Sequence, residues 1–179
     1  MILGLDVSTS IVGATILDKE GNIVLCESWD MRNKKFFLDL FDKGEAIRLW
    51  LLGIALKHEV KEIYIEEPFK FFNSGGSSAK TMSILQSFNG IVSWISFRML
   101  GIKPKYISAN AARKVCGIKV PKGEKAKKVV LQFVLDNVGN FEVEYTKFGN
   151  PKQGEFDRAD SWVIAKAGLT QWHQNNSES

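Results

Sequence analysis

Three apolar segments with the composition of β-strands fill the first 29 residues, and only short turns separate them. The segments are Ile2–Val7, Ile11–Leu17 and residues 23–29. A Ser-Thr-Ser turn joins the first two, and a charged turn ending in Gly-Asn joins the next two. Because such short turns join antiparallel neighbours, the segments predict a three-stranded meander, and the rest of the fold has to be built around it.

Helical and strand-like segments alternate after the meander. The spacing of apolar residues predicts helices over residues 36–58, Ala79–Leu100, 110–116, 125–138 and 155–170. Short strands are predicted over Glu62–Glu66 and residues 103–107, and a small hairpin within residues 139–154. A strand that arrives after a helix crossover is expected to run parallel to its neighbour, which places the fourth strand beside the first.

The predicted fold class is therefore α/β, with a mixed five-stranded sheet in the order 3-2-1-4-5 flanked by helices. One domain is expected over residues 1–170, followed by a polar, disordered tail over residues 171–179. Apolar residues make up 45% of the chain and charged residues 25%, as in ordinary soluble domains.

Cellular context is predicted from features that the sequence lacks. No run of about 18 apolar residues occurs, so no membrane association is expected. The N-terminus has no basic lead of the signal-peptide type, which favours a cytoplasmic location, either bacterial or in an infected host cell. Cys26 and Cys116 lack metal-ligand spacing and are expected to be reduced, buried thiols.

An acidic residue, Asp6, stands inside the otherwise apolar first strand. Burying a lone carboxylate costs several kcal/mol, so a partner or a chemical role is expected for it. Glu66 ends the strand predicted to lie beside the first, at an interstrand spacing of about 4.8 Å. Both carboxylates would then lie at the carboxyl edge of the sheet, where open α/β sheets bind their ligands.

Two further acids, Asp157 and Asp160, stand three residues apart in the last predicted helix and therefore share one helical face. Four converging carboxylates repel one another unless a cation neutralises them, and hard oxygen ligands suit Mg²⁺ or Mn²⁺. Two such ions per site are expected. The simpler alternatives are a helix cap for Asp157 and Asp160 and a solvated strand end for Glu66.

Positive charge is concentrated between residues 113 and 128. The basic residues are Arg113, Lys114, Lys119, Lys122, Lys125, Lys127 and Lys128, against the single acid Glu124. A solvated helix face usually mixes signs, so phosphate binding is favoured over that alternative. Lys125 is also a candidate to stabilise charge on a reacting phosphate.

The helix Ala79–Leu100 carries more apolar residues than one buried stripe requires. The surplus predicts a second buried face, and a homodimer explains it. Phe88, Trp94 and Ile95 are the residues expected at this interface. A two-fold dimer would match the pseudo-two-fold symmetry of a four-way junction.

Five segments, in this order, resemble the RuvC family of Holliday-junction resolvases within the ribonuclease H-like superfamily. The segments are LGLDVSTSIVGATIL, IYIEEPF, SANAARKVCG, GEKAKKVV and FDRADSWVIA. The resemblance runs from Met1 to about Ala167. Residues 139–154 form a longer stretch than the family pattern suggests, and three phenylalanines crowd a loop where the family emphasises one.

The resemblance implies a role for each matched residue. Asp6 and Glu66 match the first and second metal ligands, and Asp157 and Asp160 match the paired acids of the final helix. Lys125 falls on the basic residue of the active site. Phe69 follows Glu66 as a phenylalanine does in the family, and the resemblance makes it the best candidate for a DNA-binding, base-stacking role. The alternative is that one or two of Phe69, Phe71 and Phe72 pack into the core.

The implied function is that of a metal-dependent endonuclease that is selective for DNA structure. It would resolve four-way junctions by paired symmetric nicks through two-metal phosphodiester hydrolysis, with branched DNA as its partner. Two alternatives remain open: a related nuclease that acts on structured RNA or other branched DNA, and a junction-binding protein that does not cut. The first hairpin also resembles that of actin-like kinases, but the sequence contains no second Asp-Gly-rich hairpin of the kind those proteins need.

Overall fold

A computed structural model describes residues 1–68 and 79–177 of the chain. Its strands are β1 (Ile2–Val7), β2 (Ile11–Leu17), β3 (Ile23–Asp30), β4 (Glu62–Glu66) and β5 (Lys105–Ile107). Its helices are α1 (Leu40–Lys57), α2 (Ala79–Leu100), α3 (Ala109–Val115), α4 (Ala126–Asn137) and α5 (Gln153–Ser177). Phe69 and the two phenylalanines that follow it lie outside the described residues.

The five strands form one mixed sheet in the order β3-β2-β1-β4-β5. β2 runs antiparallel to both β1 and β3, whereas β4 and β5 continue the sheet in parallel. The predicted fold class and strand order are therefore confirmed. The first strand is central because the meander occupies one side of it and the helix crossovers bring later strands to the other.

Helices cover the central strands on both faces. On one face α1 and α2 pack over a core that includes Leu3, Leu5 and Val12. On the other face α5 crosses the sheet and packs against α3 and α4. The strands need apolar residues on both faces for this reason, and all seven residues of β2 are buried.

Two glycines allow α5 to lie unusually close to the sheet. A Cβ atom added to Gly4 would lie 2.4 Å from the backbone nitrogen of Ala165. One added to Gly13 would lie 1.9 Å from the carbonyl oxygen of Asp157. No side chain fits at such distances, so these positions determine how closely α5 approaches β1 and β2.

Several element boundaries differ from the prediction. α1 begins at Leu40 rather than at residue 36, because Asp39 caps it: the Asp39 carboxylate accepts hydrogen bonds from the backbone N–H groups of Phe41 and Asp42, at 2.8 and 3.1 Å. The small hairpin expected within residues 139–154 is present as a bridge between Tyr145 and Pro151.

The predicted disordered tail is wrong for residues 171–177, which continue α5 as far as Ser177. Tertiary contacts explain the extension. Trp172 packs against the core, and a ring nitrogen of His173 lies 2.9 Å from the carbonyl oxygen of Lys19.

The predicted dimer residues divide between the core and the surface. Phe88 and Ile95 are side chains of α2 that are buried within the single chain, so their assignment to an interface is wrong. They lie on the side of α2 that packs against α1, and they belong to the core between these helices and the sheet. Trp94 points outward and is 63% exposed. Among the described residues, no helix is long and apolar enough to cross a membrane.

Candidate active site at the carboxyl edge of the sheet

Asp6 and Glu66 stand side by side near the ends of two neighbouring parallel strands. Leu5 of β1 pairs with Ile65 of β4, which brings the next residue of each strand to the same edge of the sheet. The turn after Asp6 is shaped by Ser8, whose hydroxyl donates to the carbonyl of Ile11 at 2.7 Å. This turn reverses the chain and leaves the Asp6 carboxylate at the rim.

The first turns of α5 bring Asp157 and Asp160 to the same edge. Polar contacts behind them hold the helix in place. The hydroxyls of Thr15 and Ser161 lie 2.8 Å apart, and the Arg158 guanidinium donates to the carbonyl of Cys26 at 3.1 Å. These contacts tie α5 to β2 and β3, so the two aspartates are positioned by the sheet itself.

Burial and the charges of neighbouring acids raise the pKa values of Asp6, Glu66 and Asp160. Burial, with the nearby charges of Glu66 and Asp160, raises the pKa of Asp6 well above its ordinary value. Burial and the charge of Asp160 raise the pKa of Glu66 to about 7. Burial, together with the charge of Asp157, raises the pKa of Asp160 to about 6. Sites with pKa values shifted in this way favour the binding of a cation.

The ammonium of Lys127 lies among the acids. Its Nζ donates to Oδ1 of Asp157 at 2.7 Å and lies 3.6 Å from Oδ2 of Asp160 and 4.0 Å from Oδ2 of Asp6. Partial burial lowers the pKa of Lys127, but the charges of Asp6 and Asp157 outweigh this and raise it overall. One lysine therefore neutralises part of a cluster with a formal excess of negative charge.

Lys127, rather than Lys125, is the basic residue that contacts this cluster, whereas the active-site role of Lys125 stays a prediction. Lys125 is exposed at the start of α4 and makes no side-chain capping bond. Lys125 is the N-cap residue of α4 and has an extended backbone, with φ −80° and ψ 116°, whereas Lys127 lies in the first turn of the helix. Sequence reasoning included Lys127 only among the DNA-binding residues.

The donor set fits a hard divalent cation, although the side chains do not now form a metal cage. Oδ2 of Asp157 is buried and has no hydrogen-bond partner, so one carboxylate oxygen is available for a ligand. Within the described residues, no group of three or more His, Cys, Asp or Glu side chains is arranged to hold a metal ion. Lys127 supplies the positive charge among these acids instead.

Sequence reasoning also missed a residue that positions the site. The side-chain amide of Asn89 in α2 is buried and donates to the backbone carbonyl of Glu66 at 3.1 Å. This bond fixes the end of β4, where parallel pairing is ending. A single buried asparagine within an apolar helix is the sequence feature that indicates such a contact.

The predicted basic surface begins directly beside the acids. Arg113 lies in α3, directly after β5, and its positive charge partly opposes the raised pKa values of Glu66 and Asp160. Arg113 also donates to the side-chain oxygen of Asn110 at 2.6 Å. The other residues of this surface are exposed, including Lys127, whose side chain is 53% exposed although it contacts the acids: Lys114, Lys119, Lys122, Lys125, Lys127 and Lys128.

Comparison with solved structures identifies the fold. A structure of Thermus thermophilus RuvC in complex with a Holliday junction substrate matches with a TM-score of 0.67 at 13% identity, over 96% of this chain and 94% of that one. The chain has the fold of RuvC. A second T. thermophilus RuvC structure matches with a TM-score of 0.61 at 13% identity, over 97% of this chain and 96% of that one.

The RuvC fold is also shared with a mitochondrial protein. The yeast mitochondrial Holliday junction resolvase Ydc2 matches with a TM-score of 0.59 at 13% identity, over 98% of this chain and 80% of that one. No protein-family model and no curated protein sequence matches the chain.

Proposed function

We propose that this chain is a metal-dependent endonuclease, selective for DNA structure, that resolves four-way junctions by paired symmetric nicks. The observation that carries the proposal is the convergence of Asp6, Glu66, Asp157, Asp160 and Lys127 at one edge of a sheet with the RuvC fold. A protein that only bound DNA would gain nothing from four acids beside its phosphate-binding surface.

The four acids would hold Mg²⁺ or Mn²⁺, with two ions per site. When bound, these ions would supply a nucleophilic water and stabilise charge on the leaving oxygen of a phosphodiester. Lys127 now donates to Asp157, and it would exchange this carboxylate for a phosphate oxygen of the substrate. Asn89 keeps Glu66 at the rim throughout, because it bonds the backbone rather than the carboxylate.

A cleft beside the acids supports a nucleotide as the substrate group. It encloses about 190 Å³, and its lining includes the charged residues Asp6, Glu66 and Lys127 as well as the apolar residues Met82 and Leu85 of α2. A lining with both charged and apolar side chains suits a phosphate joined to a sugar and base. The basic surface from Arg113 to Lys128 extends this contact along the DNA backbone.

A homodimer completes the proposal, because paired nicks need two active sites. The outward face of α2 carries Trp94, Phe97 and Ile84, which are 63%, 38% and 38% exposed. The guanidinium of Arg98 lies 5.7 Å from the centre of the Trp94 ring. A second copy of α2 would cover this apolar surface.

Incubation with labelled nucleic acids and Mg²⁺ tests the proposed function. A mobile four-way DNA junction, a replication fork, a linear duplex and an RNA–DNA hybrid are compared, with EDTA as the metal-free control. We expect symmetric nicks in the junction alone, and none in EDTA or with Asp6→Asn. Preferential cutting of the hybrid or the fork would favour the related nuclease, and tight junction binding without any cutting would favour the binding protein.

A further inference from the structure

The segment that joins β3 to α1 is basic, aromatic and exposed. Residues 32–41 read RNKKFFLDLF. Phe36 is 73% exposed, Leu38 80% and Phe41 83%. Large apolar side chains grouped in water usually mark a surface that contacts a partner. The proposed chemistry does not use this segment, which we call the β3–α1 turn.

Hydrogen bonds hold the β3–α1 turn in a defined shape. Met31 is 1% exposed, and its N–H donates to the carbonyl of Ser10 at 2.8 Å. The carbonyl of Asn33 accepts from the N–H groups of Phe36 and Phe37, each at 3.0 Å. The turn is therefore anchored at its start and folded at its centre, so it presents Phe36 in a fixed place.

The turn lies at the same edge of the sheet as the acids. β3 runs parallel to β1, because both are antiparallel to β2, so both strands end at the carboxyl edge. The hydrogen bonds that the Arg32 guanidinium donates to Asp30 and, more weakly, the negative charge of Asp157 raise the pKa of Arg32, so Arg32 is influenced by the charge of the candidate site. Arg113 belongs to α3, which directly follows β5, and β5 lies on the other side of β1 from β3. The acids therefore have a basic flank on each side.

The positive charge of the turn is available to a ligand. Lys34 and Lys35 are exposed, and neither side chain has an ion-pair partner among residues 1–68 and 79–177. The neighbouring acids are already engaged: Asp30 pairs with Arg32 at 2.6 Å, Asp39 caps α1, and Asp42 accepts from the N–H of Leu38 at 2.8 Å.

We propose that the β3–α1 turn is a second nucleic-acid contact, in which Lys34 and Lys35 bind phosphates and Phe36 stacks on an unpaired base beside the cleavage site. Lysines next to an exposed ring form the usual surface for single-stranded nucleic acid, in which the ring accepts any base. Base pairs at the branch point of a junction open more easily than those within a continuous duplex, so a base there can become available for stacking. This inference rests on the proposed function and extends its DNA contact to the β3 side.

The contribution of Lys34 and Lys35 is tested by the binding of a four-way junction in EDTA. Fluorescence anisotropy measures this binding between 50 and 200 mM salt. We expect Lys34→Glu/Lys35→Glu to weaken binding at least tenfold and to reduce the slope of log K against log salt by up to about 1.8, for two phosphate contacts. Lys57→Glu/Lys103→Glu is the matched control, since both lysines are exposed near the opposite edge of the sheet. Equal affinity and slope for the two double variants would overturn the inference.

Substitutions of Phe36 test whether an aromatic ring is required at this position. Phe36→Leu keeps the apolar bulk and Phe36→Tyr keeps the ring, so base stacking predicts about fivefold weaker binding for the first and wild-type binding for the second. A 2-aminopurine base at the branch point should be quenched by wild type and by Phe36→Tyr, but less by Phe36→Leu. If both variants match wild type while Phe36→Glu abolishes self-association, the turn is a protein interface and the inference is wrong.

The outcome for the proposed function is read separately, from the wild-type protein. If the wild-type protein cuts junctions but substitutions in the β3–α1 turn do not change junction binding, this inference alone is refuted. A wild type that neither binds nor cuts a junction refutes both.

Discussion

Residue by residue, the candidate site is an assembly of acids held close together by one lysine. Lys127 contacts Asp157 at 2.7 Å and approaches Asp6 and Asp160, whereas Lys125 is exposed at the start of α4. Raised pKa values of Asp6, Glu66 and Asp160 show that this single ammonium does not offset the burial and repulsion of the cluster. The chemistry of the chain therefore depends on individual side chains that local sequence rules treat as equivalent.

A pair of lysine variants tests this distinction. Lys127→Met should slow junction nicking by about 10²-fold or more, as expected for loss of a donor to developing charge, with little change in junction affinity. Lys125→Met should weaken affinity slightly and leave the single-turnover rate unchanged at saturating enzyme. Single-turnover rates with Mg²⁺ and affinities in EDTA separate the two effects. The reverse ranking would assign the active-site role to Lys125.

Removing a carboxylate should separate cutting from binding. Asp6→Asn and Asp157→Asn are expected to abolish nicking while junction binding persists or tightens, because a negative charge beside the phosphates is removed. Isothermal titration with Mn²⁺ should show weaker metal binding for both variants. Normal nicking by either one in Mg²⁺ would refute the metal-site assignment.

The raised pKa values make the stability of the metal-free protein depend on pH. Burial raises the pKa of Glu66 to about 7, whereas an unfolded glutamate titrates near 4.3. Between these values the folded chain binds more protons than the unfolded chain, so stability falls as the pH rises through this window. Below about pH 4 both forms are protonated and the penalty disappears.

Glu66→Gln should therefore stabilise the metal-free protein at pH 7.5 by an amount on the order of 3 kcal/mol. This gain should shrink toward zero as the pH falls to about 4.5. Urea unfolding in EDTA at a series of pH values measures it, with Glu20→Gln as an exposed control. A gain that does not change with pH would mean that Glu66 is not destabilised by its charge.

At the scale of elements, the site depends on how closely α5 lies on the sheet. Gly4 and Gly13 leave no room for a side chain beneath Ala165 and Asp157. Since Asp157 lies directly over Gly13, the contact that packs α5 on the sheet also positions a residue of the candidate site. Overpacking at this point should displace α5 and the two aspartates that it carries.

Gly13→Ala should destabilise the fold by about 1–3 kcal/mol and reduce nicking, because the added Cβ meets the backbone of α5. Gly53→Ala is the matched control: no atom lies within 4 Å of its Cβ position in α1, so it should stabilise by about 0.5–1 kcal/mol. Thermal melts and nicking rates report the two effects. An undisturbed melting temperature for Gly13→Ala would contradict the close packing.

At the scale of the whole molecule, two surfaces remain for partners: the outward face of α2 and the basic surface on either side of the acids. The first is apolar around Trp94, and the second is positively charged from Arg113 to Lys128 and again at Lys34 and Lys35. A two-fold pairing through α2 would leave the carboxyl edges of both sheets free for DNA. This arrangement is consistent with paired nicking of one junction.

Two glutamate substitutions in α2 are expected to act differently. Trp94→Glu should give a folded monomer that nicks junctions singly, so paired cuts within the lifetime of one complex disappear. Phe88→Glu should unfold the chain, because Phe88 is fully buried and an unpaired charge there is costly. Sedimentation and circular dichroism distinguish these outcomes. A wild type that sediments as a monomer at micromolar concentration, both alone and on junction DNA, would refute the dimer.

From the amino-acid sequence alone, the types of the elements, the strand order and the convergence of four acids could be predicted. Short turns permit only a meander, helix crossovers make the later strands parallel, and strand-end acids such as Asp6 and Glu66 must then meet at one edge. These conclusions need only local pattern and chain connectivity, and the structure bears them out.

Contacts between distant parts of the chain distinguish residues that local patterns treat alike. They place Lys127 rather than Lys125 among the acids, turn Phe88 inward and Trp94 outward, and extend α5 to Ser177. Each of these outcomes depends on how one element is rotated and packed against another. Contacts between residues far apart in sequence determine this packing. Periodicity shows that a helix has an apolar face, but the neighbour that covers this face is fixed only when the whole chain has packed.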